Sequence, residues 1–125
     1  MQQHVQGSRS RTGVLLLIFL IGFSGCGPNV KEMTETWESS KSRAFQQFRD
    51  RRYDDALVSY GKTLELAKKI DPEGLQVAET LNDMAVVYAT KDDLKNAGAL
   101  YEQSATILEN LLTRDAFKND VIVAY

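Results

Sequence analysis

The chain has 125 residues, 43% of them hydrophobic and 26% charged, with 15 basic against 17 acidic side chains and a net charge of −2. A mildly acidic chain with no extended basic cluster lacks the Lys and Arg that neutralise phosphates, which argues against nucleic acid as a partner. One cysteine and one histidine leave no material for a disulfide framework or a Cys/His zinc site.

The N-terminus begins with cationic Arg9 and Arg11, continues as an apolar run over residues 14–23, and closes with the small residues Ser24 and Gly25 before Cys26. This is the order of a secretory signal. Ten apolar residues are half of the roughly 20 that a helix needs to cross the bilayer hydrocarbon, which disfavours a permanent span. Phe23-Ser24-Gly25-Cys26 resembles the bacterial lipobox, with Phe where Leu is usual. The resemblance implies cleavage before Cys26 by signal peptidase II and acylation of that cysteine. The rival reading is an ordinary signal peptide with an incidental cysteine. Cleavage removes His4, Arg9 and Arg11 and leaves a 100-residue mature chain with 13 basic and 17 acidic residues, net −4. Such a chain holds one compact domain and has no free thiol or imidazole for a nucleophilic triad. The organisation expected is therefore a signal peptide over residues 1–25, a lipidated Cys26 with a short tether over 26–32, and a folded domain over 33–125.

Gly27, Pro28 and Asn29 discourage helix, and the tether reaches at most roughly 20 Å. Among bacterial lipoproteins, Asp directly after the cysteine typically retains the protein in the inner membrane; Gly27 here resembles an outer-membrane address facing the periplasm.

The remainder has helical periodicity. Trp37, Ala44 and Phe48 share one helix face, and Tyr53, Ala56, Tyr60, Leu64 and Ala67 share a second. Asp71-Pro72-Glu73 reads as the start of a third helix, whose stripe is Val77, Leu81, Met84, Ala85 and Tyr88. Asp92-Asp93 marks the next boundary, followed by Leu94, Ala97, Tyr101, Ala105, Leu108 and Leu112. Short polar turns between amphipathic helices predict antiparallel hairpins, with Asp54-Asp55 and Asp92-Asp93 capping the second helix of each. Residues 115–125 read as the beginning of a third hairpin through Phe117, Val121, Ala124 and Tyr125, with a short strand over Val121-Ile122-Val123 as the alternative.

An offset of 41 lays Ala44 on Ala85, Tyr53 on Leu94, Ala56 on Ala97, Tyr60 on Tyr101, Leu64 on Ala105 and Ala67 on Leu108. Self-similarity of that kind is the mark of a repeat. Small residues recur where helix axes approach, and the tyrosines are expected to fill the gap between packed hairpins. Tyr53-Asp54-Asp55-Ala56-Leu57-Val58-Ser59-Tyr60 resembles the second-helix signature of the tetratricopeptide repeat family, and residues 77–88 resemble the kinesin-light-chain type of first helix. Gly98, where the first repeat has Leu57, departs from the pattern.

The resemblance implies an all-α fold of about two repeats, near residues 37–70 and 78–112, with a C-terminal capping segment. It implies a non-enzymatic adaptor, without metal or cofactor, whose first helices line a groove for a segment of another envelope protein. Family groove positions fall on Glu38, Lys41, Phe45, Phe48 and Arg49, and on Asn82, Val86, Ala89 and Thr90. Two aromatics beside Lys41 and Arg49 suggest a partner segment with acidic character. Two other readings stand beside this one. The first is a self-associating structural lipoprotein that buries an apolar C-terminal edge of Phe117, Val121 and Tyr125. The second is a cell-wall hydrolase using two carboxylates across a cleft, for which the sequence offers only capping or surface candidates.

Overall fold

In the computed structural model, which describes residues 29–123, the chain forms four helices: α1 (Val30–Arg49), α2 (Tyr53–Ile70), α3 (Leu75–Thr90) and α4 (Leu94–Val123). The signal segment, the lipobox and Cys26 lie outside the described residues. Helices α1 and α2 form one antiparallel hairpin, α3 and α4 form another, and the two stack through α2 against α3. Tight turns that permit no other pairing produce this order.

The turns repeat as the helices do. Arg51 and Asp92 both take the left-handed conformation, at φ 61° and 63°, and they are 41 residues apart. Their neighbours differ. Asp93 accepts from the Asn96 amide and caps α4, and these hydrogen bonds from Asn96 hold its carboxyl below the usual range. The equivalent position before α2 is Arg52, which makes no side-chain cap. Asp54 and Asp55 instead lie in the first turn of α2, where negative charge suits the positive end of the helix. Asp55 pairs with Arg52, and Asp54 reaches Lys91 in the other hairpin's turn.

Two further boundaries differ from expectation. Asp71-Pro72-Glu73 is the turn itself rather than the first turn of α3. Asp71 closes α2 and accepts from the Glu73 amide, and α3 starts only after Gly74. At the other end of the domain, Asn29 caps α1 by accepting from the Glu32 amide, so residues 30–32 are helical rather than tether.

The core is built largely from the small residues that the repeat predicts. Ala44, Ala56, Ala67 and Ala85 are fully buried where helices approach, and Ala78, outside that pattern, is buried with them. Tyr60 and Val87 fill the space between hairpins with Ala44 and Ala56, while Trp37, Ala67, Val77 and Leu81 form the second cluster. Polar groups that enter this core are paired, as burial favours, except the buried Gln47 Oε1, which has no partner among the described residues. Trp37 Nε1 donates to Thr80 Oγ1 at 3.0 Å, Ser104 donates to the Ala78 carbonyl, and Ser40 and Thr63 hydroxyls share a hydrogen bond.

Helix α4 departs most from expectation. Its 30 residues run on without a break, because no proline, glycine or cap separates Leu112 from Asp115. The segment after 115 is therefore a continuation of α4, neither a strand nor a new helix. The face of α4 packed on α3 is Ala97, Leu100, Ser104, Ile107 and Leu111. Of the expected stripe only Ala97 is buried; Leu94, Tyr101, Leu108 and Leu112 are exposed.

Candidate functional site

Helices α1 and α3, the first helices of the two hairpins, border one another across an open depression. Between them lies an open cleft of about 470 Å³ lined by Trp37, Glu38, Lys41, Ser42 and Phe45 of α1 and by Glu79 and Asp83 of α3. The spacings 37, 38, 41, 42, 45 and 79, 83 are the i, i+3, i+4 intervals that put residues on one helix face. Local packing then fixes the floor: the Trp37 indole is buried and held by Thr80, leaving its ring face available to the side chain one turn on.

That side chain is Lys41. Its ammonium lies 4.9 Å from the Trp37 ring centroid, 2.6 Å from Glu79 Oε2 and 3.7 Å from Asp83 Oδ2. A cation over an indole and between two carboxylates is an arrangement that recognises ammonium and guanidinium groups in general. The cleft also carries Glu38, so three carboxylates face one ammonium. Burial pushes the Asp83 carboxyl above the ordinary range; Lys41 offsets part of that, and Glu79 adds to it. Asp83 also acts on the core behind it, since the Tyr60 phenol is raised to about 12, first by burial and then by this carboxylate.

Among the residues that the sequence places in a groove, Glu38, Lys41 and Phe45 line this cleft. Phe45 is 47% exposed. Phe48, whose ring centroid is 6.4 Å from that of Phe45, lies outside the lining: it is half-buried against Tyr53 of α2, with ring centroids 5.8 Å apart, and belongs to the inter-hairpin cluster. Arg49, Asn82 and Thr90 are exposed, Val86 is at the margin of exposure, and Ala89 is half-buried; none of them lines the cleft. The Thr90 hydroxyl donates to the Val86 carbonyl.

Trp37, Ser42, Glu79 and Asp83 complete the lining and were not among the expected groove residues. Trp37 reads from sequence as core, which it also is. Glu79 and Asp83 carry a legible signal, an i, i+4 acidic pair within an otherwise apolar helix. Charge in the cleft differs from what Lys41 and Arg49 suggest: Lys41 is engaged by two carboxylates, and with Glu38 the lining carries three acidic side chains against one basic.

The two phenylalanines are separable by stability. Phe48→Ser should cost about 2 kcal/mol, less than a fully buried aromatic, whereas Phe45→Ser should move stability by no more than about 0.5 kcal/mol. Urea titration followed by circular dichroism measures both; equal losses would remove Phe45 from the cleft surface.

Residues 36–110, more than half of the chain, match the family model described as tetratricopeptide repeat. No curated protein and no solved structure matches the chain.

Proposed function

The chain belongs to the tetratricopeptide repeat family, and we propose that it is a membrane-anchored adaptor of the bacterial cell envelope that holds a basic segment of another envelope protein in the cleft between α1 and α3. Repeats of this family generally mediate protein–protein interaction. The observation that carries the finer reading is the cleft itself, with Trp37 and Phe45 as apolar contacts and Glu38, Glu79 and Asp83 against Lys41 alone. A lysine or arginine of the partner fits beside Lys41, and an adjoining apolar side chain covers Phe45. The membrane part of the proposal rests on the sequence: the apolar run over residues 14–23, the lipobox resemblance ending at Cys26, and Gly27 after it, which favours the outer membrane facing the periplasm.

A photoreactive amino acid tests the cleft in native membranes. Placed at Phe45 it should capture the partner, and placed at Val58, on the outer face of α2, it should not. The exposed Glu38→Lys change should weaken capture by on the order of tenfold, equivalent to about 1.4 kcal/mol. Equal capture from both positions, or no loss with Glu38→Lys, would overturn the proposal.

Binding should also depend on pH with a definite sign. A cationic partner meets the ionised form of Asp83, whose pKa is raised by burial. Affinity is therefore full above that raised pKa and falls as pH descends through it, at a higher pH than an ordinary carboxylate would produce. Asp83→Asn should flatten the profile in a binding titration.

A further inference from the structure

The stacking surfaces at the two ends of the molecule are chemically unlike. On α3 the residues facing the preceding hairpin are Val77, Thr80, Met84 and Val87, all buried or half-buried. The α1 positions 41 residues earlier are Thr36, Ser39, Arg43 and Gln46, all polar and exposed. That end is sealed. Helix α2 meets α3 through Tyr53, Leu57, Tyr60, Leu64 and Ala67, and their counterparts on α4 are Leu94, Gly98, Tyr101, Ala105 and Leu108. These, with Leu112, face outward, at exposures of 68% for Leu94, 40% for Tyr101, 39% for Leu108 and 73% for Leu112. This end is open and apolar. Head-to-tail stacking of copies would set it against the polar face of α1, which is a poor match.

The open face is, however, complementary to itself. Positions 94, 98, 101, 105, 108 and 112 alternate by four and three residues and so form one continuous stripe, at the spacing by which α2 packs on α3. The sequence of sizes along the seam is large, none, large, small, large, large. Reversed about Gln103, it sets each bulky central residue against a small one. A β-carbon at Gly98 would meet nothing within 4 Å, so no contact inside the monomer requires glycine there. A mid-helix glycine is unfavourable by about 1 kcal/mol against alanine, and close approach of another helix gives it a purpose.

Charge agrees with this pairing. Lys95, Glu102 and Glu109 flank the seam on the side away from α3, and none of them forms an ion pair among the described residues. About a twofold axis on the seam side, level with Gln103, Lys95 comes next to the partner's Glu109, twice by symmetry. The two Glu102 side chains meet near the axis and oppose one another.

We propose that α4 pairs with α4 of a second copy of this chain, antiparallel about an axis on the seam side level with Gln103, so that Leu94 meets the partner's Leu112, Gly98 meets the partner's Leu108, and Tyr101 meets the partner's Ala105. The packing has the same antiparallel sense as α2 against α3 within the chain. It differs from an interface through Phe117, which lies on the opposite side of α4 from the seam. It leaves the cleft between α1 and α3 free, so the dimer and the proposed function stand or fall separately.

Sedimentation equilibrium of the full chain, in detergent matched to the solvent density, tests it. A reversible monomer–dimer equilibrium is expected. Ala105→Arg should weaken it at least tenfold with helical content unchanged, and Leu112→Glu, at a still more exposed position, is the second variant should the first misfold. Lys95→Glu and Glu109→Lys should each weaken the dimer several-fold, the double variant should restore it, and Glu102→Gln should tighten it. A chain that stays monomeric at its highest soluble concentration overturns the proposal, as does a dimer unmoved by both seam variants. Single charge changes that weaken association without rescue in the double variant overturn the antiparallel pairing. A monomer whose α4 face instead captures a different protein overturns the choice of a second copy.

Discussion

Replacing Tyr60 by alanine is expected to destabilise the domain by about 3 to 5 kcal/mol, and replacing Tyr101 by less than about 1 kcal/mol at concentrations where the chain is monomeric. The two tyrosines occupy the same repeat position. Tyr60 is 2% exposed, enclosed by Ala44, Ala56 and Val87 between the hairpins, and its loss leaves a cavity that rigid helix backbones cannot close. Tyr101 is 40% exposed because no further helix follows α4 among the described residues. For a domain of this size the first loss is most of the total stability. Thermal and urea unfolding of both variants measure the difference, and equal effects would contradict the packing. An alkaline titration gives an independent check. The Tyr60 phenol is raised from its ordinary value near 10 to about 12, so the unfolded chain loses this proton first. Its contribution to stability is whole below about 10 and is lost as pH rises towards about 12, and Tyr60→Phe should remove that part of the decline.

The contrast between these tyrosines also shows what the sequence could and could not disclose. Periodicity found the helices, and the 41-residue offset found the hairpins and the buried alanines, because both patterns are direct consequences of helix geometry and repeated packing. The same offset makes Tyr101 look like Tyr60. A repeat pattern records which residues face a neighbour without recording whether that neighbour is present. On α4 two apolar stripes lie side by side, and the repeat offset points to the more aromatic one as the packed face; Ser104, a buried residue on the true inner face, is concealed by its polarity until its hydrogen bond to Ala78 is seen. The acidic turns misled for a related reason. Asp is equally at home as a cap, a C-terminal closure or a first-turn charge, and only backbone geometry separates Asp93, which caps, from Asp71 and Asp54, which do not. In the cleft, the sequence showed Lys41 and Arg49 as near neighbours of two phenylalanines. It could not show Glu79 and Asp83 arriving from a helix 38 residues and more away to neutralise Lys41 and reverse the sign of the surface.

Replacing Cys26 by alanine is expected to abolish lipid attachment and cleavage before position 26 while leaving the fold and the cleft intact. The apolar run over residues 14–23 is too short to span, so once the leader is cleaved the lipid is the whole of the proposed attachment. Each buried methylene of an acyl chain contributes about 0.8 kcal/mol, and one such chain gives only reversible binding; the multiple chains of a bacterial lipoprotein make anchoring stable, and their loss is an effect of many orders of magnitude in partition. Helix α1 begins at Val30, so three residues separate it from Cys26, and the four steps from one to the other reach at most about 14 Å. A domain held so close meets membrane-bound partners at a high effective concentration, which a released domain does not. The alanine variant should therefore retain its melt and its affinity for a basic peptide in solution, remain uncleaved before position 26, and carry no lipid. Mass spectrometry of the wild-type chain and fractionation of the variant are the measurements. An unmodified wild-type mass, or a variant processed and sedimenting with the membrane as before, would sink the lipid anchor without touching the cleft.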